Sequence, residues 1–123
     1  MVTAFANNQA MTAITGTASE ITTDPYNLGG DDRATVMWNI HYVWALGGGA
    51  TTLAWKAQVS NDGVYWVDQA SLADTATAAT GATPKKTTGA VNGEFIRFVI
   101  TLSNAGGTLG GANFDLHVKF DHT

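Results

Sequence analysis

A chain of 123 residues corresponds to one domain of ordinary size, able to bury roughly two thirds of the surface that its unfolded form exposes. Only 13% of the residues are charged against 45% hydrophobic, so Thr, Ser, Asn, Gly and Ala must clothe much of the surface, which suits a protein held inside an assembly. The net charge of −4, with Arg33, Lys56, Lys85, Lys86, Arg97 and Lys119 scattered, argues against a nucleic-acid partner, and the lack of cysteine excludes disulfides and thiolate metal sites. The first residues, MVTAFANNQAMTAI, carry no basic region and no unbroken apolar run, so neither a signal peptide nor a membrane anchor is expected, and synthesis in a cytoplasm is.

Residues 1–9 are small and polar apart from Val2 and Phe5, and read as an arm that orders only against another surface. A single domain, residues 10–123, follows. A weak strand is expected at 10–15 and another at 19–23 with Ile21 inward, ending at Asp24-Pro25, because proline cannot donate to a ladder. Residues 28–33, LGGDDR, form a polar loop. Residues 34–46 make the longest strand, with Val36, Trp38, Ile40, Tyr42, Trp44 and Leu46 on one side at a spacing of two. The glycines at 47–49 let the chain reverse, so this strand and the next are expected to be antiparallel neighbours.

The stretch 53–67, LAWKAQVSNDGVYWV, is the most legible in the chain. Leu53, Trp55, Ala57 and Val59 share one face. Ser60-Asn61-Asp62-Gly63 then turns the chain, since Asn and Asp bond their own backbone and Gly takes left-handed angles freely, and residues 64–67 return as a second arm. Residues 68–90 are rich in Ala, Thr and Gly and read as a long loop or an extension toward a neighbouring subunit, with 85–88 available as an edge strand. Residues 94–103 place Ile96, Phe98, Ile100 and Leu102 inward. A glycine-rich reversal at 104–112 leads to a last strand, 113–122, with Phe114, Leu116, Val118 and Phe120 inward. The chain is therefore expected to be all-β, an antiparallel β-sandwich or jelly roll of seven to eight strands.

Chemistry is sparse. His41, His117 and His122 show no metal-ligand spacing, and His41 and His117 could meet only if their strands were adjacent. Asp24, Asp31, Asp32 and Asp62 lie in loops without an EF-hand pattern. GGGATT and GGTLGGA lack a phosphate-loop lysine, and no Ser or Thr lies in a nucleophile elbow. Neither an enzymatic activity nor a cofactor or metal is expected.

The segments WKAQVSNDGVYWVDQ and EFIRFVITLSN, a glycine-rich loop and a terminal alternating strand together resemble small β-sandwich structural proteins of tailed bacteriophages, over residues 34–120. That resemblance implies a virion protein of the capsid decoration (cement) type, bound to the outer surface of the major capsid protein shell as a homo-oligomer, dimer or trimer. Val2, Phe5, Asn7, Asn8, Lys85 and Lys86 are then its candidate partner contacts. A connector or tail position fits the same resemblance. Carbohydrate-binding sandwiches also use SNDG followed by Trp, and on that alternative Asn61, Asp62 and Tyr65 would meet the sugar.

Overall fold

The computed structural model describes residues 2–14, 18–46, 51–77, 84–104 and 109–122. These form β1 (Val2–Ile14), β2 (Ala18–Thr22), β3 (Tyr26–Asn27), β4 (Arg33–Leu46), β5 (Thr51–Ser60), β6 (Val67–Thr77), β7 (Pro84–Ala90), β8 (Phe95–Asn104) and β9 (Leu109–Asp121). One sheet runs β1-β9-β4-β7 and the other β2-β8-β5-β6, and every pairing is antiparallel. β2 and β3 both pair with β8, on either side of Asp24-Pro25, so they are one edge strand interrupted where proline has no N–H to give. Thr23 maintains continuity across that break. Its N–H donates to the Phe98 carbonyl, and its hydroxyl accepts from the Phe98 N–H, each at 2.9 Å. Counted with that strand as one, there are eight strands, four to a sheet, and successive strands change sheet at every step except β5 to β6, which is the order of a jelly roll.

The expected pairing of the two long central strands is corrected by the structure. β4 pairs with β7 and β9, and β5 with β6 and β8, so the first glycine run joins the two sheets and does not close a hairpin. The second run, between β8 and β9, does the same. The reason lies in the aromatic faces. As hairpin neighbours, the strands would carry Trp38 and Trp55 on one face of one sheet, which would need a further layer to cover them. Placed in opposite sheets they cover each other, with ring centroids 6.0 Å apart. Phe114 stacks on Trp38 at 5.7 Å, and Phe98 meets Trp55 edge-on at 5.9 Å. Leu53, Ile96, Ile100, Leu102, Leu116 and Val118 complete a layer with no exposed surface, each contributing about 1.5–3 kcal/mol on burial.

Three further expectations change. Residues 2–9, read as part of an arm, lie in β1, an edge strand on β9 with register breaks around Phe5 and between Ala6 and Gln9. These bulges let Phe5 turn onto the core, where its ring lies 4.7 Å from Phe98 and 6.1 Å from both Tyr26 and Phe120. In β4 the register breaks between Ile40 and Tyr42. The extra residue, His41, reverses the alternation, so Val43 is buried and Trp44 only half-buried. Finally, most of 68–90 is paired: β6 covers 67–77 and β7 covers 84–90, while 78–83 lie outside the described residues. A large bulge opens in β6 between Gln69 and Ala73, and Leu72 within it is fully buried. A stretch poor in large side chains is thus anchored by its one leucine.

The glycines expected to form a loop before β9 are partly strand. A Cβ on Gly111 would meet the indole of Trp44, its register partner, and one on Gly110 would meet Thr51 of the opposite sheet. Gly110 is glycine because the two sheets close tightly there, and Gly111 because the Trp44 ring of the neighbouring strand lies across it.

Candidate functional site

Among the described residues, the most exposed large apolar ones gather between the end of β5 and the start of β6. β5 ends at Ser60, which is 4% exposed and whose hydroxyl oxygen accepts from the N–H groups of Asp62 at 3.2 Å and Gly63 at 2.9 Å. That hydroxyl in turn donates to Asp62 Oδ1 at 2.9 Å. The same carboxylate oxygen accepts from the N–H groups of Val64 at 2.8 Å and Tyr65 at 2.9 Å. Those two donors, followed by Ser60, hold the Asp62 carboxyl below its ordinary value. Gly63 turns the corner at φ 76°, an angle that side chains disfavour. The Ser60 carbonyl accepts from Glu94 N–H at 3.0 Å, tying the turn to the neighbouring β7–β8 connection.

The consequence is a stiff turn that holds apolar side chains out in water. Val64 is 71% exposed, Tyr65 78% and Val67 63%. The expected return strand at 64–67 is therefore corrected: ladder pairing resumes only at Val67, opposite Val59. The chain cannot pair sooner because Asp62 Oδ1 has captured the N–H groups of Val64 and Tyr65.

Beside this turn a polar ladder crosses the outer face of the second sheet. Arg97 of β8, Gln58 of β5 and Asp68 of β6 are direct register partners. Arg97 Nε donates to Gln58 Oε1 at 2.9 Å, and Gln58 Nε2 donates to Asp68 Oδ1 at 3.0 Å. Lys56 Nζ reaches Asp68 Oδ2 at 3.3 Å. Gln58 first and then Lys56 hold the Asp68 carboxyl below its usual range. The Arg97 guanidinium lies over the Trp66 ring, 4.3 Å from its centroid.

Of the residues singled out from sequence, Asn61, Asp62 and Tyr65 are together on the exposed turn, but Asp62 builds it. Phe5 is half-buried against the core aromatics, and Lys86 is exposed on the edge strand β7. Val2, Asn7, Asn8 and Lys85 lie in strands, and their side chains fall outside the described residues. His41 and His117 do sit on adjacent strands, yet His41 Nε2 pairs with Asp115 Oδ2 at 3.1 Å, and His117 stands opposite Met37. Arg97, Gln58, Asp68 and Trp66 were missed as a group. Arg97 and Gln58 show as outward positions in their own strands, but their adjacency belongs to the sheet order.

Two open hollows accompany these features. One of about 420 Å³ lies between β1 and the Asp24-Pro25 break, lined by Phe5, Ile21, Thr23 and Tyr26 among others. Another, of about 350 Å³, lies on the outer face of the second sheet beside Ala54, Lys56, Asp74 and Thr101. Neither gathers a set of ionisable groups around one point.

No protein-family model matches the sequence, and no curated protein matches it. Among solved structures, the chain is similar to the infectious bursal disease virus VP2 subviral particle, with a TM-score of 0.64 at 11% identity, over 99% of this chain and 32% of that one. The structure of the Gt strain of the same virus gives a TM-score of 0.63 at 12% identity, over 99% of this chain and 32% of the other. The carbohydrate-binding module TmCBM61, determined in complex with β-1,4-galactotriose, matches at a TM-score of 0.49 and 11% identity, over 91% of this chain and 70% of that one, a likeness too loose to bear on this chain. The chain spans about a third of the length of the viral proteins it matches. At these identities the likeness establishes the fold, a two-sheet sandwich of the kind found in viral capsid proteins.

Proposed function

We propose that this chain is a non-enzymatic structural protein of a virus particle, of the decoration type, which binds the outer surface of the major capsid protein shell and stabilises it as a dimer or trimer. The observation that carries the reading is the exposed pair Val64 and Tyr65 on a turn held in place by Ser60 and Asp62, with exposed Val67 at the start of the strand that follows. Side chains of this kind lose free energy in water and regain it when a partner covers them, and a stiff turn has little entropy left to lose on docking. A surface poor in charge adds little repulsion between copies packed side by side. A protein that binds only the assembled shell stabilises it by mass action, and contacts repeated by symmetry add through multivalency. The jelly-roll fold shared with viral capsid proteins is compatible with this role and does not by itself assign it.

The carbohydrate-binding alternative draws on the same turn, since Tyr65 is an exposed aromatic platform. It is the weaker reading because Asp62 Oδ1, a natural sugar acceptor, is already engaged by backbone donors. Mass spectrometry and electron microscopy of particles purified from the source decide between them. The expected result is this chain at a fixed copy ratio to the major capsid protein, with density on the outer shell. Absence from the particles together with a glycan-array hit would replace the proposal by the alternative.

A further inference from the structure

We infer that Arg97 is a preset receptor for a carboxylate, and that the shell protein inserts an Asp or Glu side chain against it while apolar groups of its surface cover Val64 and Tyr65. This rests on the decoration reading and names the chemistry of its contact. The guanidinium is fixed twice, by Nε donation to Gln58 and by stacking on Trp66. Gln58 is itself held by Asp68, which Lys56 anchors in turn. Among the described residues, the Nη groups of Arg97 have no hydrogen-bond partner. A planar fork whose rotamer is already set, with its outer edge unused, matches the two oxygens of a carboxylate. It lies half-buried over Trp66, which Tyr65 and Val67 flank in sequence. Arg, Trp and Tyr are the residue types enriched at protein-binding hot spots. A sugar acid would use the fork too, but it would leave exposed Val64 uncovered, and one face of Trp66 is already occupied by the guanidinium.

The test titrates the full chain onto source particles stripped of it, comparing wild type with Arg97→Lys, which keeps the charge and loses the fork, and with Gln58→Leu, which releases Nε. Thermal melting accompanies each variant. Expected are melting curves like that of wild type and binding weakened about tenfold or more for Arg97→Lys, with a smaller loss for Gln58→Leu. Wild-type-like binding of Arg97→Lys overturns the inference and leaves the decoration reading standing. Failure of the wild type to bind particles overturns that reading and the inference with it. Capture of acidic glycans on an array, abolished by Arg97→Lys, overturns the protein partner in favour of a sugar.

Discussion

Trp55 and Trp66 stand on either side of one turn and meet opposite fates. Trp55 is 2% exposed and packs on Trp38 and Phe98 between the sheets. Trp66 is half-buried outside them and serves as a platform for Arg97. The difference is one of phase. Trp55 lies in an unbroken strand whose alternation aims it inward, whereas Trp66 follows a turn in which Asp62 takes the backbone donors that a ladder would need. Tryptophan content alone therefore tells nothing of placement. The interior cluster holds the fold together, and the exterior one is displayed by it.

That contrast can be broken first at the interior. Trp38→Ala or Phe114→Ala is expected to cost about 3–5 kcal/mol in urea unfolding, because each empties a fully packed site. Trp38→Phe should cost much less, since the Trp38 indole N–H has no acceptor and its removal relieves a buried unpaired donor. Equal costs for the two Trp38 variants would show that the indole is not confined as described. Next, Gly111→Ala is expected to cost about 1–3 kcal/mol by pushing the strand off Trp44, read as a lowered melting temperature.

The exterior responds differently. Asp62→Ala should leave global unfolding nearly unchanged while the amides of Val64 and Tyr65 exchange faster, a local opening that hydrogen exchange resolves. Acid should mimic it. Since the folded carboxyl is held below its ordinary value of 3.8, the support is complete above that value and is lost as the pH falls through the lowered one. Exchange rates that stay flat through that range would remove Asp62 as the brace. Smallest in stability is Tyr65→Ser with Val64→Ser, expected within about 0.5 kcal/mol of wild type, while particle binding drops. A large loss of stability there would place these side chains inside the fold and not on its display.

Much of this is legible along the chain. The inward sets of β5, β8 and the later part of β9 follow from spacing alone, because a strand with one buried face must alternate, and Gly63 at the turn follows from the backbone angles that Ser-Asn-Asp-Gly favours. The reversal at His41 was hidden, since a bulge is a relation between two strands and β9, its partner, lies far along the chain. The same limit concealed the candidate site. Exposed Tyr65 and outward Arg97 each belong to a local pattern, but the ladder from Arg97 through Gln58 to Asp68 exists only because β5 lies between β8 and β6. Local spacing thus determined which side chains had to leave water. Which sheet each strand joined was decided by the need of two tryptophan-bearing faces to cover each other, and that need can be met only in three dimensions.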